Sequence, residues 1–127
     1  MQSKWRWERI TNDWSSQVKA PYKAIEYIIE NSCKFAEAKA QRIYLEEFRK
    51  TKKALLMKEA MAKGFDSAVA QEREAYAHIE YADLLKGLMI AIEKEETLKW
   101  MLTAAQMKAD IWRSEQASER LGVKTTE

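Results

Sequence analysis

"YADLLKGLMIAIEKEETLKWMLTAAQMKADIWRSEQ", Tyr81 to Gln116, decides the fold. Within it Tyr81, Leu84, Leu88, Ala91, Glu95, Leu98, Leu102, Ala105, Ala109, Trp112 and Gln116 follow one another at alternating steps of three and four. That period places them along one side of an α-helix as a heptad seam, breached by Glu95 and ended by Gln116. Leu85, Met89, Ile92 and Met101 widen the stripe beyond what a two-stranded zipper needs. A wide stripe fits a bundle of several helices. Glu95 reads as a register-setting or peripheral residue rather than a catalytic acid.

The rest of the chain agrees. With three Gly and one Pro in 127 residues, turns are few and elements long. Charged residues make up 33% and hydrophobic residues 46%, a composition that folds. From Tyr22 to Lys63 nothing stops a helix. Ile25, Ile28, Ile29, Phe35, Ala36, Ala40, Ile43, Tyr44, Phe48, Leu55 and Leu56 recur at helical steps. Only Asn31 and Ser32, which compete for backbone hydrogen bonds, suggest a break. "KGFDSAVAQERE" interrupts the pattern: Gly64 suits the position just past a helix end, and Asp66 or Ser67 the next cap. Gly87 suggests a close helix crossing, and Gly122 ends the second helix.

The expectation is a single all-α domain over 1–127. It has a Trp-rich segment (1–20), a first long helix (21–63) and a second (67–121), the two forming a long antiparallel hairpin. A two-helix hairpin encloses no core of its own. The seam residues Leu84, Leu88, Leu98, Leu102 and Trp112 are therefore expected to be covered by other copies, giving a homo-oligomeric helical bundle, the alternative being a folded-back N-terminal segment whose tryptophans close the stripe within one chain.

The chemistry-bearing residues are sparse. "QEREAYAHIEYADLL" holds the single histidine, His78, four residues after Glu74. Two such groups share a helix face, but a zinc site needs further ligands and no second histidine exists. The Glu-x-x-His pair of di-metal bundles does not occur. His78 reads as a surface residue at a helix start, and no metal, cofactor or catalytic residue is expected. The one cysteine, Cys33, reads as a half-buried small residue in a reducing compartment.

Charge is unevenly spread. Residues 34–63 carry nine Lys/Arg against four Asp/Glu, and residues 64–127 eight against twelve. The plain structural reading is that the two halves attract. The functional reading takes Arg42, Arg49, Lys50, Lys52 and Lys53 as contacts for phosphates or a partner. Trp5 and Trp7, beside Arg6 and Arg9, would stack on the bases of single-stranded DNA. The first residues lack a signal peptide's apolar core, and no apolar run approaches the ~20 residues of a membrane span. The expected location is the host cell cytoplasm.

Three stretches also carry a resemblance: "YLEEFRKTKKALLMKEA" (Tyr44–Ala60), "AQEREAYAHIEYADLLKGL" (Ala70–Leu88) and "LKWMLTAAQMKADIWRSEQASER" (Leu98–Arg120). With Arg73 to Ala77 and the Trp112–Arg113 pair as its clearest marks, the chain from about residue 35 to 120 resembles small helical proteins of tailed phages and prophages. That group is often encoded near recombination or single-strand-annealing genes. The resemblance implies a non-enzymatic accessory protein of DNA metabolism, working by self-association and by binding DNA or a phage or host protein. It transfers no site residues. The alternative is a phage inhibitor of a host defence or repair enzyme, its acidic half occupying a basic channel.

Overall fold

A computed structural model describes residues 21–126, and those residues are all-α. Three helices follow in order: α1 (Pro21–Ala62), α2 (Ala68–Ala77) and α3 (Ile79–Thr126). No helix among the described residues is long and apolar enough to cross a membrane. Trp5 and Trp7 lie outside the described residues.

α1 runs unbroken through Asn31 and Ser32. The Asn31 amide donates to the Tyr27 carbonyl at 2.8 Å, and the Ser32 hydroxyl donates to the Ile28 carbonyl. Both side chains bond one turn back, so their competition for the backbone is settled inside the helix. At its end Gly64 adopts φ 105°, its N–H reaches the Met61 carbonyl, and the Phe65 N–H reaches the Ala60 carbonyl. This paired closure is the Schellman motif, and it requires a residue tolerant of positive φ. Ser67 caps α2 by accepting the Ala70 N–H at 3.1 Å, and the Gln71 amide donates to the Phe65 carbonyl.

The expected second helix over 67–121 is two helices. His78 takes an extended conformation (φ −70°, ψ 140°) and closes α2 by donating its N–H to Ala75. Its Nδ1 then accepts the Glu80 N–H at 3.1 Å, which caps α3. A histidine ring acting as a local acceptor is not among the usual capping residues, so the joint escaped a reading based on Ser, Thr, Asp and Asn. At the other end the helix continues past Gly122 to Thr126.

The chain divides into two compact units, Phe35–Thr97 and the flanking segments Met1–Lys34 with Leu98–Glu127. In the first, Leu56, Ala75 and Tyr81 are buried together with Met57 packed against them. Tyr76 and Tyr81 meet edge to face at 5.3 Å. In the second, Ala24 and Ala105 are fully buried.

On α3 the heptad row is the covered row. Tyr81, Leu88, Ala91, Glu95 and Ala105 are buried, and Leu84, Leu98, Leu102 and Ala109 half-buried, within a single chain. Trp112 stays 41% exposed. The residues expected to widen this stripe do so unevenly: Met101 is half-buried, whereas Leu85, Met89 and Ile92 are exposed. On α1 the covered row is Ala24, Ile28, Asn31, Phe35, Ala38, Arg42 and Leu45, again at heptad steps. Ile25, Ile29, Ile43, Tyr44 and Leu55 lie exposed instead. Cys33, between Asn31 and Phe35, points away from that row and is exposed rather than half-buried.

A Cβ built on Gly87 meets nothing within 4 Å, so no close crossing explains that glycine. Gly87→Ala is therefore expected to stabilise the chain by roughly 0.5–1 kcal/mol, the helix-propensity difference. Gly64→Ala, forced into positive φ, is expected to cost about 1–2 kcal/mol. Urea unfolding followed by circular dichroism checks both, and equal signs for the two would contradict the assignment.

Candidate functional site

The basic stretch of α1 splits into two sets of side chains. Arg42 falls in the covered row. Its guanidinium bonds Glu95 across the unit through Nε and, at 3.2 Å, through Nη2. Nη1 holds Glu46, one turn along, at 3.0 and 2.9 Å. Glu95 itself is only 7% exposed. A carboxylate this buried must be matched by a charge-assisted partner, and the arginine fork supplies two parallel bonds. The hydrogen bond to Glu95 first, and that to Glu46 second, hold the Arg42 pKa above its ordinary value. Arg42, expected to contact phosphates, thus spends its donors inside the chain.

Lys53 and Lys52 do the same at the α2 end. Lys53 Nζ donates to Glu72 Oε1 at 2.7 Å and lies 4.8 Å over the Tyr76 ring. Lys52 Nζ sits 2.8 Å from Glu80. The bond from Lys53 holds the Glu72 carboxyl below its ordinary range, and the bond from Lys52 does so for Glu80. The Glu72 bond first, then Tyr76, raises the Lys53 pKa. The attraction between the basic and acidic parts of the sequence is therefore made of three specific pairs within Phe35–Thr97.

Arg49 and Lys50 form the other set. Both are exposed, and Lys50 makes only a 3.3 Å pair with Glu47, itself exposed, of the kind worth little in water. Lys39 and Lys58 are exposed too. Carboxylate partners, not helical phase, separate the sets. Arg49 lies two turns after Arg42 at nearly the same phase yet is exposed, whereas Arg42, Lys52 and Lys53 each reach a carboxylate, a distinction of partners invisible in the run "RKTKK" itself.

His78 is committed to its joint, and Glu74 beside it is exposed. Among the described residues, no three His, Cys, Asp or Glu side chains converge. Near the end of α3, Arg113 pairs with Asp110 at 3.0 Å rather than with Glu115 or Glu119. No family model, curated protein or solved structure matches this chain.

Two outcomes follow from the pairs. A carboxylate with a depressed pKa stabilises the fold above its unfolded value, and the contribution fades as pH falls through the folded value. Thermal stability is expected to drop as pH falls below about 4.5, the ordinary value for Glu72 and Glu80, and Glu72→Gln with Glu80→Gln flattens that drop. Melting curves at pH 7 and 3.5 measure it. Separately, Glu95→Ala is expected to destabilise strongly by stranding Arg42, while Arg42→Met combined with Glu95→Leu recovers most of the loss. Additive single and double variants would show that the two side chains are uncoupled.

Proposed function

We propose that this chain is a non-enzymatic association protein: an antiparallel helical hairpin that assembles with copies of itself and acts by binding protein or DNA. The descending order of partners supports the hairpin, since Arg42 meets Glu95 whereas Lys52, further along α1, meets Glu80. The observation that carries the reading is the exposure of large apolar side chains on helices whose heptad rows are already covered. Tyr22, Ile25 and Ile29 on α1, and Trp100, Met107 and Ile111 on α3, stand in solvent. Apolar surface on this scale marks a contact face. The seam residues Leu84, Leu88, Leu98 and Leu102 then serve the hairpin first, and outward faces serve assembly.

The finer reading, an accessory protein of phage DNA recombination or single-strand annealing, draws on the resemblance over residues 35–120. Its direct DNA contacts would rest on Arg49 and Lys50, with Lys39 and Lys58, because Arg42, Lys52 and Lys53 are engaged by carboxylates. The inhibitor alternative draws on the acidic residues beyond Gly64, of which Glu72, Glu80 and Glu95 are occupied internally.

Light scattering across micromolar concentrations is expected to give a mass above that of one chain. Fluorescence anisotropy with a labelled single strand is expected to show binding that weakens steeply with salt. Arg49→Glu with Lys50→Glu abolishes it at unchanged melting temperature, whereas Lys53→Glu lowers the melting temperature. Salt-insensitive binding, or none, would remove DNA and leave protein partners.

A further inference from the structure

The C-terminal half of α3 carries a second row of heptad residues opposite the covered one. Trp100, Ala104, Met107, Ile111, Ser114 and Ser118 recur at steps of four and three. Leu98, Leu102, Ala105 and Ala109 lie about half a helical turn away. The covered row is half-buried or better, yet Trp100 is 64%, Met107 58% and Ile111 52% exposed. A helix apolar on both sides needs cover on both sides. Ser114 and Ser118 leave a shallow groove beside Ile111, walled by Asp110, Glu115 and Glu119.

We propose that this outer face, from Met107 to Ser118, docks on the same face of a second copy, the two α3 helices running antiparallel. The proposal rests on the self-association reading and names its surface. Two independent features select one register. Size is the first: with Ile111 set against Ser114 of the second copy, Met107 falls against Ser118, and the same pairs repeat on the other side of the two-fold axis. Each large side chain enters a gap left by a small one, as knobs-into-holes packing requires. Charge is the second. In that register Lys108 flanks Glu115 of the second copy, twice per dimer, and Asp110 flanks Ala117. No like charges oppose. A register centred between Met107 and Ile111 sets Lys108 against Lys108 and Asp110 against Asp110. Lys108 and Glu115 are both exposed within one chain, free to turn outward. Twelve residues of helix give roughly 17 Å of contact. That buries less than a standard interface of about 1,600 Å², so the dimer is weak and depends on concentration.

Sedimentation equilibrium of the full chain, with helicity monitored in parallel, tests this. The wild type is expected at twice the mass of one chain at high concentration. Ile111→Arg, whose site is exposed in one chain, is expected to stay folded and monomeric. Lys108→Glu and Glu115→Lys each weaken the dimer about tenfold, and the double variant restores it. A wild type that stays at the mass of one chain overturns the proposal together with self-association, and gives the face to another partner. A dimer that survives Ile111→Arg overturns this surface alone. Loss in both single reversals without recovery in the double overturns the antiparallel register.

Discussion

Glu95 lies in a covered row of mostly apolar side chains, and the Arg42 guanidinium makes that position tenable. A carboxylate removed from water without a partner is heavily penalised, and a partner displaced by one helical turn cannot reach it. The pair therefore fixes how α1 and α3 are aligned within Phe35–Thr97 more sharply than the aliphatic residues around it. Leucines and alanines tolerate sliding, since one apolar contact replaces another. An arginine fork closed on two carboxylates does not. Lys52 with Glu80 and Lys53 with Glu72 extend the same logic toward the turn, where Leu56, Ala75 and Tyr81 supply the small apolar cluster.

This alignment explains why the cations of the middle segment have different fates. A basic stretch on a helix is not a basic surface until its carboxylate partners are known. Arg42, Lys52 and Lys53 complete the fold, and Arg49 and Lys50 stay exposed. A polyanion would meet a patch far less positive than the net +5 of residues 34–63 suggests.

Much of α3 was legible in the sequence, because a three-and-four spacing of Leu and Ala admits few readings. The row from Tyr81 to Gln116 is the row that is covered, Glu95 included and Trp112 excepted. Gly64 at the end of α1 was legible for a similar reason, since only glycine tolerates that φ cheaply. The covered row of α1 was not. Ile28 and Phe35 stood in the apolar pattern and are covered, but Ala24, Asn31, Ala38 and Arg42 between them carry little hydrophobic signal, while the more conspicuous Ile25, Ile29 and Ile43 face outward. Nor was the split of the basic run legible, because it depends on partners 19 or more residues away in the chain.

The extended residue at His78 has an effect beyond ending one helix and starting another. Six residues separate Ala75 from Tyr81, and on an uninterrupted helix that offset turns two side chains well away from each other, at about 100° per residue. Both nevertheless belong to one apolar cluster with Leu56. The single non-helical residue resets the rotational phase, so that two stretches out of step share a common inward direction. A chain one residue longer or shorter at this joint would keep both helices intact and still lose the cluster, because α2 would arrive rotated with its buried alanine facing water.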